Sequence, residues 1–202
     1  MNNRLNPKRF TVILDMDSVS YDLNTPWLEW YNKNAGDSLT HADINQWDWA
    51  KIVRPGWQSK IYDFLHIEYM FFNLHPFPGA VEATKVVHEW GTVTQLFGST
   101  VKTRTGAYEK QHAVDRDFPH IGSGNVLTTG HIKAFKGDVL FDDGYHNLEA
   151  FDGITCKVNL QGSPYSDHYV ADLDMTNWSQ YPDLVKQAQI IYDQSLQEVQ
   201  RN

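Results

Sequence analysis

Of the 202 residues only one, Cys156, is a cysteine, so no internal disulfide can form and the fold must be held by packing. That usage suits a reducing compartment. Cys156 itself, between Ile154 and Val158, has the setting of a small core residue. Positive charge is also scarce: 17 Lys and Arg face 25 Asp and Glu, a formal net charge of −8. A protein tracking a nucleic-acid backbone carries the opposite balance, which excludes an extended DNA or RNA partner as the expectation. A single phosphate stays open, because it needs only one or two local cations. No apolar run approaches the roughly 18–20 residues that span a bilayer, and MNNRLNPKRF at the start lacks the apolar core of a secretory signal. An unexported, cytoplasmic protein without a membrane partner is expected. GxxxxGK[ST] does not occur, and Gly122-Ser123-Gly124 lacks both the third glycine and the strand-turn-helix setting of a dinucleotide loop. The nine histidines show no HExxH and no paired Cys/His spacing, which argues against zinc. Internal repeats and low-complexity tracts are missing too.

What is present is a globular composition, with 41% hydrophobic and 13% aromatic residues. At roughly 100–200 residues per domain, one domain with a modest insertion is expected. Short apolar runs at Phe10–Leu14, Thr92–Phe97, Asp138–Phe141 and Ile154–Val158, with Asn125–Thr128 weaker, have strand character. Helical stretches separate them. Pro78-Gly79 opens one in which Val81, Thr84, Val87 and His88 share a face, and Gly91 ends it. Tyr108–Asp117 is a second, Asn147–Phe151 begins a short third, and Leu184, Ala188, Ile191, Ser195 and Val199 recur at helical spacing in the last. This alternation implies an α/β protein whose parallel sheet is covered on both faces. Residues 21–74 break it. They are rich in tryptophan and phenylalanine, lack a clear strand, and are best explained as a helical cap inserted after the first strand, over a core of residues 1–20 and 75–202.

The chemistry concentrates at strand ends. In VILDMDSVS, Asp15 and Asp17 directly follow the first apolar run, where ligands sit in open α/β sheets. Asp142 and Asp143 follow DVLF in the same way, with Gly144 relaxing the turn. Carboxylates gathered this closely raise one another's pKa unless a cation is present, and oxygen-only donors suit Mg²⁺. Lys133, shortly before the fourth strand, could reach a phosphate held near the metal. LFGST at the end of the second strand offers the hydroxyls of Ser99 and Thr100.

With acids, hydroxyl, lysine and second acid pair in that order, the chain resembles the haloacid dehalogenase superfamily of phosphotransferases. DMDSVSYDL, FFNLHPFPGAVEA at Phe71–Ala83, YEK at Tyr108–Lys110 and VLFDD at Val139–Asp143 are similar to the 5'(3')-deoxyribonucleotidases and their phage and bacterial relatives. The resemblance implies a three-layer Rossmann-like sheet and a Mg²⁺-dependent phosphomonoesterase acting on nucleoside monophosphates. It implies Asp15 as the nucleophile that forms an aspartyl-phosphate and Asp17 as the general acid and base. Asp15, the backbone carbonyl of Asp17, Asp143 and the neighbouring Asp142 would hold the metal. Lys133 would offset phosphate charge, with Ser99, Thr100 and Lys110 as further phosphate ligands, while Leu23, Phe71 and Phe72 would pack on base and sugar. A homodimer is compatible with this, as is a host cytoplasm if the gene is a phage's.

Two positions depart from the pattern. Ser18 stands where the family usually has glycine, and Gly98 aligns with the family's threonine; if Gly98 impairs catalysis, Gly98→Thr is expected to raise activity. The alternatives are a related phosphatase for another small phosphate ester, and a nucleotide-binding relative with impaired catalysis. A phospho-accepting receiver domain is disfavoured by the order of its acids and by its shorter length.

Overall fold

The computed structural model describes residues 9–99, 103–130, 132 and 136–201. Its centre is a six-stranded, wholly parallel sheet: β1 (Thr11–Asp15), β2 (Val93–Gly98), β3 (Val126–Thr128), β4 (Val139–Asp142), β5 (Ile154–Val158) and β6 (Leu173–Met175). The spatial order is β3-β2-β1-β4-β5-β6, so the chain winds outward one way from β1, returns, and winds outward the other way. β1 and β4 flank the point where the order reverses, which is where such sheets open a crevice beyond their carboxyl ends.

Side-chain alternation divides the core in two. Val12, Leu14, Val139, Phe141, Cys156 and Val158 point into the larger cluster, together with Ala80 and Val87 of α2 (Ala80–Glu89) and Tyr181, Leu184, Val185 and Ala188 of α5 (Tyr181–Arg201). Ile13, Phe97 and Leu140 point the opposite way, onto Leu148 of α4 (Tyr145–Ala150) and onto Ile132. Both faces of β1 are covered, which is why its residues form an unbroken apolar run.

The five sequence-derived strands are all present within a residue or two, and Cys156 is fully buried. β6 had no signal of its own: it is an edge strand of three residues, LDM, with an exposed central Asp174. The buried stripe of α2 is Ala80, Ala83, Thr84 and Val87, with Val81 half-buried and His88 exposed, because the i, i+3, i+4, i+7 row starts at the first helical residue. On α5, Ser195 is exposed, lying beyond the part of the helix that covers the sheet.

Between β1 and α2 the chain forms α1 (Asn24–Ala35) and a series of 3-10 turns at His41–Asp43, Trp49–Lys51, Lys60–His66 and Phe71–Asn73. Bridges from Tyr21 to Asp17 and to Pro76 close the neck of this segment. Trp27 stacks on Trp49 with centroids 4.2 Å apart, and its indole N–H donates to the Ile61 carbonyl at 2.7 Å. Trp27, Trp49, Phe64 and Phe71 belong to the same cluster as Val12 and Leu14, so the segment has no separate core.

Candidate active site

Register brings the acids together. Leu14 is level with Phe141, so Asp15 and Asp142 leave neighbouring strands at the same height, and Asp143 follows. Carboxylate oxygens of Asp15, Asp142 and Asp143 lie within 4.8 Å of one another, and all three residues are buried. Burial first, then the charges of Asp142, Asp17 and Asp143, pushes the Asp15 carboxyl well above its usual range, and Lys110 opposes this. Asp142 is raised by burial and by Asp143, against hydrogen bonds from the Gly144 amide at 2.7 Å and the Asn147 side chain at 3.0 Å. Asp143 is pushed up to about 7 by burial, although the Tyr165 hydroxyl donates to its Oδ2 at 2.7 Å. Its other oxygen, Oδ1, is buried and accepts no hydrogen bond from the described residues. An orphaned carboxylate oxygen among three crowded acids is an unfavourable arrangement by itself. It is the donor set that a hard cation with oxygen ligands takes.

Asp17 is held differently. The ladder continues through the Met16 amide to the Phe97 carbonyl at 2.8 Å, and the chain then turns sharply, with the Ser18 amide donating to Tyr21 at 2.9 Å. Ser18 adopts φ +64°, the left-handed region that glycine occupies without a Cβ penalty. Asp17 is not in the group of three clustered acids, although its charge acts on each of them. Its Oδ2 accepts from Ser99 Oγ at 2.7 Å and from Lys110 Nζ at 2.5 Å. Lys110, on α3 (Gly106–Asp117), is fully buried, and its ammonium also donates to the Ser99 carbonyl at 3.2 Å and lies 4.6 Å from the centre of the Phe71 ring. It reaches Asp17 by crossing Gly98, where an added Cβ would sit 2.9 Å from Lys110 Cδ and 3.2 Å from Nζ. In this arrangement the lysine occupies the space that a side chain at position 98 would take. The expectation that a threonine there would improve the site does not fit this packing.

Above these groups lies a cavity of about 280 Å³. Asp15, Asp17, Asp143, Ser18 and Ser99 are at its floor, and Leu23, Trp27, Trp49, Tyr62 and Phe71 are among its walls. Phe72 is not. Its ring faces the other side of the short turn, edge-on to His112 at 4.9 Å and beside Tyr69 and Tyr108, because successive residues of a tight turn point in different directions. Thr100 and Lys133 lie outside the described residues.

Several lining residues had no motif to announce them. Trp47, His146, Asn147 and Tyr165 line the cavity, and Tyr165 comes from the segment after β5, where no periodicity marks it. Glu109 stands inside the YEK motif, which gave it no role. Fully buried, it accepts from the Tyr69 and Phe71 amides at 2.9 and 3.0 Å and from Thr105 Oγ1 at 2.5 Å, so it ties the Phe71 wall to the helix that carries Lys110. Its neighbour Tyr69 has φ +63°.

Comparison with known proteins bears on the family and the fold. A 5'(3')-deoxyribonucleotidase of Bacillus subtilis (strain 168) is 28% identical over 172 residues, 84% of this chain and 94% of the relative. One from Clostridium acetobutylicum is 30% identical over 146 residues, covering 71% and 78%. Among solved structures, a haloacid dehalogenase family hydrolase from Deinococcus radiodurans R1 with bound phosphate and sodium matches with a TM-score of 0.61 at 12% identity, covering 89% of this chain and 96% of the other. The Bacillus subtilis hydrolase YfnB, bound to magnesium, matches with a TM-score of 0.54 at 12% identity, covering 88% and 99%. These structures share the haloacid dehalogenase fold. With the family's own profile matching residues 9–191, the chain belongs to the family described as 5' nucleotidase, deoxy (pyrimidine), cytosolic type C protein (NT5C).

Proposed function

We propose that the protein is a Mg²⁺-dependent phosphomonoesterase that hydrolyses deoxyribonucleoside monophosphates through an aspartyl-phosphate. The observation that carries this is the separation of two acids on one turn. Asp15 sits in the crowded acid cluster, while Asp17 is turned aside to Ser99 and Lys110, both at the floor of an aromatic-walled cavity. Two carboxyls in different surroundings can take different roles.

Asp15 Oδ attacks phosphorus and forms the new P–O bond as the ester P–O bond breaks; Asp17 gives its proton to the leaving sugar oxygen. In the second half Asp17 takes a proton from water, whose oxygen attacks phosphorus and displaces the Asp15 carboxylate. Lys110 and Ser99 orient Asp17 throughout, and Ser99 Oγ and the Ser18 turn face the space a phosphate would fill. Lys133 is assigned to the phosphate as well. Asp15, Asp142 and Asp143, with the Asp17 carbonyl, would hold the Mg²⁺, which when bound offsets carboxylate repulsion and phosphoryl charge. Residues 21–74 serve as the cap over a core of 1–20 and 75–202, and Leu23, Trp27, Trp49 and Phe71 contact base and sugar. The named activity of the Bacillus and Clostridium relatives supports the substrate class.

Phosphate release from a panel of ribo- and deoxyribonucleoside monophosphates, with and without Mg²⁺, tests this. Turnover is expected with Mg²⁺, and none with Asp15→Asn. No release from any nucleotide refutes the proposal.

A further inference from the structure

We infer that Tyr165 is a positioning residue that sets which oxygen of Asp143 faces the metal and joins the metal site to the wall of the nucleoside cavity. The inference rests on the metal reading above.

Three contacts carry it. The Tyr165 hydroxyl donates to Asp143 Oδ2 at 2.7 Å, and Oδ1 of the same carboxylate is buried without a hydrogen-bond partner among the described residues. A carboxylate can rotate about its terminal bond, and one strong donor on one oxygen stops that rotation and leaves the other oxygen as the free ligand. The Tyr165 ring lies edge-on to Trp47 with centroids 5.5 Å apart, and both line the cavity. The Tyr165 amide donates to the Ile44 carbonyl at 3.2 Å, so backbone as well as ring is tied to the segment between β1 and α2. Trp47 comes close to the acidic turn too: a Cβ on Gly144 would lie 3.1 Å from Trp47 Cη2 and 3.0 Å from Asp142 Oδ1. One residue therefore touches a metal-facing acid with its hydroxyl and the aromatic wall with its ring. The two contacts use different atoms and can be separated by substitution.

Partners that orient metal ligands typically hold roughly 10–100-fold in metal affinity. Tyr165→Phe removes the hydroxyl and keeps the ring; Tyr165→Ala removes both. Titration calorimetry with MgCl₂ alone, and separately with thymidine in EDTA, reads the two functions without turnover. Circular dichroism and urea midpoints of each metal-free variant accompany the titrations. For Tyr165→Phe the expected result is a Mg²⁺ Kd raised roughly 10–100-fold, with thymidine affinity unchanged. For Tyr165→Ala both affinities are expected to fall. Wild-type Mg²⁺ affinity in a folded Tyr165→Phe overturns this inference alone. No Mg²⁺ binding by the unaltered chain overturns the metal reading and this inference with it. Should Tyr165→Ala fail to fold, the phenylalanine variant still decides the hydroxyl's role, and Trp47→Leu decides the wall, with loss of thymidine binding and retained Mg²⁺ binding expected.

Discussion

The acid cluster should make the metal-free protein less stable than it needs to be, and Asp143→Asn should relieve it. Asp143 moves from an ordinary value of 3.8 to about 7 on folding, chiefly because burial disfavours its charge. A carboxyl whose pKa is raised in the native state binds protons more tightly there than in the unfolded chain. Native stability then falls as pH rises from about 4 through 7, and the loss is complete above 7. At ~1.4 kcal/mol per pH unit, the cost is about 2 kcal/mol at pH 5 and about 4 kcal/mol at pH 8. Asparagine carries no charge at either pH and keeps an oxygen for the Tyr165 hydroxyl, which now sits 2.7 Å from Oδ2. Burying its amide costs about 1–2 kcal/mol against this. In EDTA at pH 8 the variant should therefore be more stable than the wild type by about 2 kcal/mol, and the gain should shrink towards zero at pH 5. Urea denaturation at the two pH values measures it. With Mg²⁺ added, the wild type should recover and the variant should respond far less, since it lacks one of the acids proposed to hold the ion. An Asp143→Asn protein less stable than wild type at pH 8 in EDTA would refute the electrostatic account of this cluster.

Gly98→Thr should lower activity at least tenfold and cost about 1–3 kcal/mol, because the new side chain displaces the buried Lys110 stem; activity equal to or above wild type would remove the packing role assigned to Gly98. Ser18→Gly should gain about 0.5 kcal/mol in thermal denaturation, the relief of a left-handed φ of +64° being partly offset by the freer unfolded glycine. A marked loss would mean that the Ser18 side chain holds the turn. Glu109→Ala leaves the Tyr69 and Phe71 amides and the Thr105 hydroxyl without their acceptor, and should destabilise the fold by about 2–4 kcal/mol while raising KM more than it lowers kcat. Ser99→Ala should cut kcat about tenfold with little change in stability, as its hydroxyl is at the cavity floor and touches Asp17 rather than the core.

Much of the fold was legible because its signals are local. β1, β2, β4 and β5 are apolar runs buried on both faces, and α2 opens at Gly79 with a φ of +84° that glycine accepts freely. β6 was not legible, since three residues at a sheet edge carry no periodicity. Asp15, Asp142 and Asp143 could be picked out because strand ends in such a sheet converge, and Leu23 and Phe71 do line the cavity. Phe72 could not be separated from Phe71 by motif alone: the direction of each ring depends on a turn of three residues. The resemblance set Asp17 apart as the acid and base, but not its partner: its carboxylate pairs with a lysine ninety-three positions away.

By itself, the sequence determined that this is an α/β chain of one covered parallel sheet, with two acid pairs at the ends of apolar strands and no disulfide. Those conclusions depend only on periodicity, residue type and order along the chain. The tertiary structure alone decided the surroundings of each acid, the passage of Lys110 over Gly98, and the contacts that Glu109 and Tyr165 make. The reason is physical: a carboxylate's role depends on burial and on which charges and donors lie within a few ångströms, and those neighbours come from strands, turns and helices far apart in sequence.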